Sequence, residues 1–156
     1  GPYPETKFSV LFFERGIFYP IYFLFFRRRK HLLMNNIHNG KVDPVIILGC
    51  FMLLKNYILY EVDFFDENTF LYSEEEILSE KLRRKSFQLK YLPLVSILHQ
   101  HDFNNIVERP KERLWLKSHL YYFQKYKNYN TFQCYLSKLS NIFWLKVYLP
   151  IILKRK

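Results

Sequence analysis

His99-Gln100-His101-Asp102 places two imidazoles one residue apart with a carboxylate beside them. Alternate residues of a strand share a face, so on a strand both rings would point the same way. That begins a metal or acid–base site. Catalytic zinc usually takes three protein ligands, however, and His31, His38 and His119 stand at no spacing that adds one. A surface or turn position is the plainer reading. A second group, Asp63, Asp66 and Glu67 beside Glu61, could form a metal-dependent nuclease centre. No Lys follows at a spacing that completes it, and Asp and Asn are favoured at turns for local hydrogen bonding, so a solvated loop is expected.

Nucleophilic chemistry finds less support still. Cys134 has no base near it in sequence, and no Ser lies in a nucleophile-elbow pattern. The four Gly are scattered singly, which leaves no phosphate-cradling loop. The expectation is a chain with no catalytic residue, no metal and no cofactor. Cys50 and Cys134 are too few and too isolated for a disulfide scaffold, which favours a reducing compartment.

Charge is the other chemistry on offer. Lys and Arg number 24 against 14 Asp and Glu, for a net +10. The cations cluster at Arg27, Arg28, Arg29 and Lys30, at Arg83, Arg84 and Lys85, and at 111–117, 125–127 and 154–156, with Tyr and Phe interleaved. Basic and aromatic surface together is the pattern of single-strand binding. Net charge alone supports only nonspecific attraction, and the plain alternative is a solvated face.

The elements that must position these groups read as follows. Lys7–Phe13 and Ile17–Phe26 are aromatic and β-branched, and are expected to be strands. Ile17–Phe26 runs straight into Arg27–Lys30. A spanning helix needs about 20 apolar residues, and a signal peptide carries its cations first. Neither fits, so a buried strand with Pro20 at a bulge or edge is expected, and no membrane element. A short helix follows at His31–Ile37. Cys50–Leu54 and Tyr57–Val62 flank Lys55-Asn56 as a hairpin, and Thr69–Tyr72 follows the turn at Asp66-Glu67-Asn68 as a short strand. The clearest helix is SEEEILSEKLRRKSF. Ser73 and Glu76 form a capping-box pattern, three Glu occupy the first turn, and Arg83, Arg84 and Lys85 the last. Leu94–His101 reads as strand or short helix. Pro110 opens a helix to about Tyr126, and Thr131–Leu136 and Ile142–Leu149 read as two closing strands. The fold class expected is α+β, with small mixed sheets and a few helices.

The 156 residues make one domain, or two lobes at about 3–72 and 73–156. Nearly half are hydrophobic and a fifth aromatic, enough for a core in which each buried Phe or Leu contributes roughly 1.5–3 kcal/mol. Gly1-Pro2 reads as the scar of an engineered protease site, outside the domain.

Three segments carry a family likeness: YILYEVDFFDENTFLY (57–72), YLPLVSIL (91–98) and TFQCYLSKLSNIFWLKVYLPIIL (131–153). The pattern is an apolar strand ending in an acid, a turn, then a strand rich in Leu and Tyr. A Cys-bearing basic strand follows, ahead of Trp144-Leu145-Lys146-Val147-Tyr148. Over about residues 45–153 this resembles the origin-recognition-complex-interacting region of the silencing-establishment regulators of budding yeasts. The resemblance implies a two-lobed, mixed α/β, non-enzymatic adaptor in the nucleus. It implies binding to the bromo-adjacent homology domain of the largest origin-recognition subunit, and a part in silent chromatin. Tyr, Trp and Arg are favoured interface anchors, and Phe64, Phe65, Asp66 and Phe70 at the acidic turn are the expected partner-binding residues, with burial in the core the plainer reading for any single Phe. Nucleic-acid binding through Arg27–Lys30 and Arg83–Lys85 is the alternative.

Overall fold

The computed structural model describes residues 51–92, 94–98 and 109–153, with residues 16–21, 24, 25, 32, 35–37, 39, 46 and 49. The expected strand at 7–13, the cations Arg27–Lys30 and the His99–Asp102 group lie outside the described residues.

The architecture is helical. In chain order the elements are α1 (Tyr19–Ile21), α2 (Asn56–Glu61), α3 (Glu74–Arg84), α4 (Arg109–Tyr126) and α5 (Thr131–Phe143). A π-helical turn, Trp144–Tyr148, then leads into α6 (Leu149–Leu153). The described residues contain no strand, which overturns the α+β expectation. Short apolar runs rich in aromatics fit a strand and a buried helix segment equally well by periodicity. Three of them resolved the other way. Tyr57–Val62 is mostly α2, and Thr131–Leu136 and Ile142–Leu149 join into α5 and its continuation. Part of the expected strand Ile17–Phe26 is α1, and Thr69–Tyr72 is irregular. The mixed sheets implied by the family likeness are absent from the described residues too.

α3 contributes to both hydrophobic clusters of the described residues. Ile77, Leu78, Ser79, Glu80 and Leu82 are all buried, so the helix is covered on more than one side. On one side Ile77 packs with Tyr122, Phe123, Tyr126 and Tyr129 from α4 and the turn after it. On the other, Leu78 and Leu82 pack with Val62, supported by Met52, Leu54, Ile58, Phe87 and Leu89. The second cluster draws on residues from both sides of the division at 72/73.

Helix ends follow their local chemistry unevenly. α4 begins at Arg109-Pro110, where the missing proline N–H costs nothing. α5 begins with a capping box: Asn130 Oδ1 accepts from the Gln133 N–H at 2.9 Å, and Gln133 Oε1 accepts from the Asn130 N–H at 3.0 Å. The capping box expected at Ser73 and Glu76 is not formed. Ser73 lies in the left-handed region at φ 65° and makes no cap bond. Its hydroxyl is used elsewhere, as the site below shows.

Candidate functional site: an anchored aromatic turn

Residues 63–73, between α2 and α3, form an irregular turn whose two ends are strained. Asp63 and Phe64 have φ of 54° and 49°, and Tyr72 and Ser73 have φ of 69° and 65°. A left-handed conformation costs a non-glycine residue roughly 1–2 kcal/mol, and it persists only where surrounding contacts over-determine it. Those contacts come from α3 and α4. Lys81 Nζ donates to the carbonyls of Asp63 and Phe64 at 3.0 and 2.9 Å. At the other end Ser118 Oγ donates to the Leu71 carbonyl at 2.7 Å. Ser73 Oγ lies in hydrogen-bond contact with His119 Nδ1 at 2.8 Å.

The middle of the turn hangs on Asp66, whose side chain is 5% exposed. Oδ1 accepts from the Asn68 N–H and side-chain amide at 3.0 and 2.7 Å, a local turn of the kind Asp favours. Oδ2 accepts from the hydroxyls of Tyr121 and Tyr126 at 2.8 and 2.5 Å, and Lys125 Nζ stands 3.4 Å away. Burial by itself would raise the carboxyl pKa. The hydrogen bonds from Tyr126, Asn68 and Tyr121 outweigh it and hold the group well below the usual carboxylate range. Burial and the bond to Asp66 push the Tyr126 phenol upward in turn. Asp66 is therefore a hydrogen-bonded strut between the turn and α4, favoured in its charged form.

What the turn presents outward is apolar. Phe70 is 89% exposed, and Phe64 and Phe65 are each 45% exposed. Tyr60 meets Phe64 edge to face at 5.0 Å and is itself exposed. Of the expected partner-binding set, the three Phe lie on the surface of one turn, while Asp66 faces inward and anchors it.

The cations of the second expected set are described only at α3. Glu80, 6% exposed, gathers most of them. Arg83 Nη2 approaches it at 2.6 Å, Arg84 Nε at 3.1 Å and Lys127 Nζ at 3.0 Å. Burial alone would raise the Glu80 pKa. The bonds from Arg83 and Lys127, with Arg84 behind them, hold it down at about 2. Arg84 also reaches the Tyr126 carbonyl and lies over its ring, and Lys85 stands 4.0 Å from Glu61. These cations tie the ends of α3 and α4 together, with Arg83 and Lys85 still more than half exposed.

Among the described residues no group of three His, Cys, Asp or Glu could hold a metal ion. Of the acidic group, Asp63 offers its carbonyl to Lys81, Asp66 is saturated with donors, and Glu61 faces Lys85. The Cys134 thiol is pushed up by burial, the wrong direction for a nucleophile. Ser73 and His119 have the separation of a nucleophile and its base, but both are buried, with His119 stacked on Trp115 at 4.1 Å. Their contact serves to hold the turn.

The anchors Lys81, Ser118, His119, Tyr121 and Tyr126 escaped sequence reasoning. Tyr121 and Lys125 share a face of α4 at a four-residue spacing, yet nothing local joins them to an Asp more than fifty residues earlier. No helix among the described residues is long and apolar enough to cross a membrane. Compared with known proteins, the chain matches no family model, no curated protein and no solved structure.

Proposed function

We propose that this domain is a non-enzymatic protein-docking module whose contact surface is the turn 63–73, with Phe64, Phe65 and Phe70 as anchors. The observation that carries the reading is the combination of strain, anchoring and exposure. Four residues in left-handed conformations and hydrogen bonds from two helices fix a turn that does nothing for the core with Phe70. A rigid, pre-ordered loop loses little entropy on binding, and aromatic side chains are the usual hot spots of an interface. The resemblance of segments 57–72, 91–98 and 131–153 to the silencing regulators supplies the partner to try first. That partner is the bromo-adjacent homology domain of an origin-recognition subunit, in a nuclear, chromatin-associated role. The strand pattern behind the resemblance forms no strand among the described residues, so the docking reading rests on the turn.

A second reading, nucleic-acid binding, is favoured by the exposed cations near the α3 and α4 ends. Lys125 and Arg84 lie over tyrosine rings there, although Asp66 and Glu80 already neutralise part of their charge.

One titration separates the two. The domain is mixed with the bromo-adjacent homology domain, with a duplex and with a single strand, at low and moderate salt. Salt-tolerant protein binding that Phe70→Ala weakens at least tenfold, with the melting temperature unchanged, supports docking. Affinity for nucleic acid that falls steeply with salt and ignores Phe70→Ala overturns it.

A further inference from the structure

α5 is built inside out. Its polar residues Ser137, Ser140 and Asn141 are buried against the domain, with Asn141 only 3% exposed. Six large apolar residues face solvent, Phe132, Tyr135, Leu139 and Phe143, continued past the π turn by Val147 and Ile151, while Leu136 and Ile142 are half-buried. After the first step these recur every four residues. In a regular α-helix four residues overshoot a turn, so such a stripe drifts by about 40° at each step. A π turn takes up an additional residue, and Trp144–Tyr148 supplies one where the drift would carry Val147 and Ile151 away. The apolar stripe therefore stays on one side of the helix over about 28 Å at 1.5 Å per residue.

The two flanks of the face differ. On one side stand Lys138 and Lys146, both exposed, and no acid occurs between residues 131 and 153. On the other side, about 100° round the helix from the stripe in each direction, residues 17–19 form a wall. The Ile17 N–H donates to Ser140 Oγ at 3.1 Å, Tyr148 Oη donates to the Ile17 carbonyl at 3.1 Å, and Tyr19 packs against Trp144. Ile17 and Phe18 keep nearly half their surface exposed, which widens the apolar floor.

We infer that this face is a docking groove for an amphipathic helix of another protein, one with an acidic flank. The length fits a helix of several turns, and the wall at residues 17–19 makes a groove that a flat lipid surface would not follow. The charge pattern selects the partner. Two copies of this chain packed antiparallel through the stripe would bring four lysines to one side with no acid from residues 131–153 to meet them, whereas a partner with Glu on that flank pairs with Lys138 and Lys146. The groove and the aromatic turn are separate surfaces, and neither proposal depends on the other.

The test is fluorescence anisotropy with a labelled amphipathic peptide of matching length, Leu on its apolar stripe and Glu on its flanks, beside the same peptide with Lys in place of Glu. The Glu peptide is expected to bind and the Lys peptide to bind at least tenfold more weakly. Leu139→Asp, at an exposed position, should abolish binding without changing the melting temperature. Lys138→Glu with Lys146→Glu should reverse the preference between peptides, while Phe70→Ala should leave it untouched. Equal binding of both peptides, or binding indifferent to Leu139→Asp, overturns the inference. So does a dimer in solution that Leu139→Asp dissociates, which would give the face to a second copy. Binding to phosphatidylserine vesicles without peptide binding would give it to a lipid surface, with the same consequence.

Discussion

Asp66 is where one residue decides most about the candidate site. Its carboxylate is buried among two phenols, an amide and an ammonium, so its charge is held by geometry that an uncharged isostere cannot satisfy equally. Asp66→Asn is expected to cost about 2–4 kcal/mol in urea denaturation and to weaken docking by loosening the turn. Glu76 works in the opposite sense. Its Oε2 is buried with no hydrogen-bond partner among the described residues. Burial first, and then the neighbouring Glu75 and Glu74, push its pKa up from 4.5 to about 7. Below pH 4.5 folded and unfolded chains both hold this proton, and the fold bears no cost. Between 4.5 and 7 the unfolded chain releases it first, so stability falls across that window and stays lower above it. Urea midpoints measured across that window should decline in the wild type, and the part of the decline due to this carboxyl should vanish in Glu76→Gln. Glu80, held down at about 2, keeps its contribution until the medium is strongly acid.

Among the elements, α5 owes its start to a local signal. Asn130→Ala removes the acceptor for the Gln133 N–H and should cost about 1 kcal/mol, read as a lower melting temperature with the helical spectrum retained. The Asn-x-x-Gln pattern was legible in the sequence, but the β-branched and aromatic residues after it drew the reading toward a strand. The same competition misread Tyr57–Val62. α3 went the other way, since its apolar stripe at Ile77, Leu78 and Leu82 and its charge asymmetry both pointed to a helix and the helix formed. Its ends departed from expectation: α3 stops at Arg84, short of Phe87, and Ser73 before it makes no cap bond. Ser73 would satisfy an end of α3 as a cap, yet its hydroxyl meets His119 and its backbone turns left-handed.

Among the described residues both buried clusters are built on α3, an aromatic one on one side and a mainly aliphatic one on the other. Leu82→Ala empties the second cluster from its centre, and a loss of about 2–5 kcal/mol in denaturant stability is expected. Phe70 at the turn and Leu139 on α5 belong to neither cluster, so their replacement is expected to leave the fold in place. Composition and order of residues determined the absence of any nucleophile or phosphate-loop pattern, the basic balance, a helix beginning about Ser73 and another from Pro110 to about Tyr126, and the aromatic turn beside an acid. These are properties of single residues or of neighbours within a turn or two, so local chemistry is enough to read them. The tertiary structure alone decided that the closing segments are helix, that Asp66 faces inward while Phe70 faces out, and that α5 turns its apolar side to solvent. Each of those outcomes depends on which distant side chains arrive to bury or pair a group, and a short apolar run carries no record of what will pack against it.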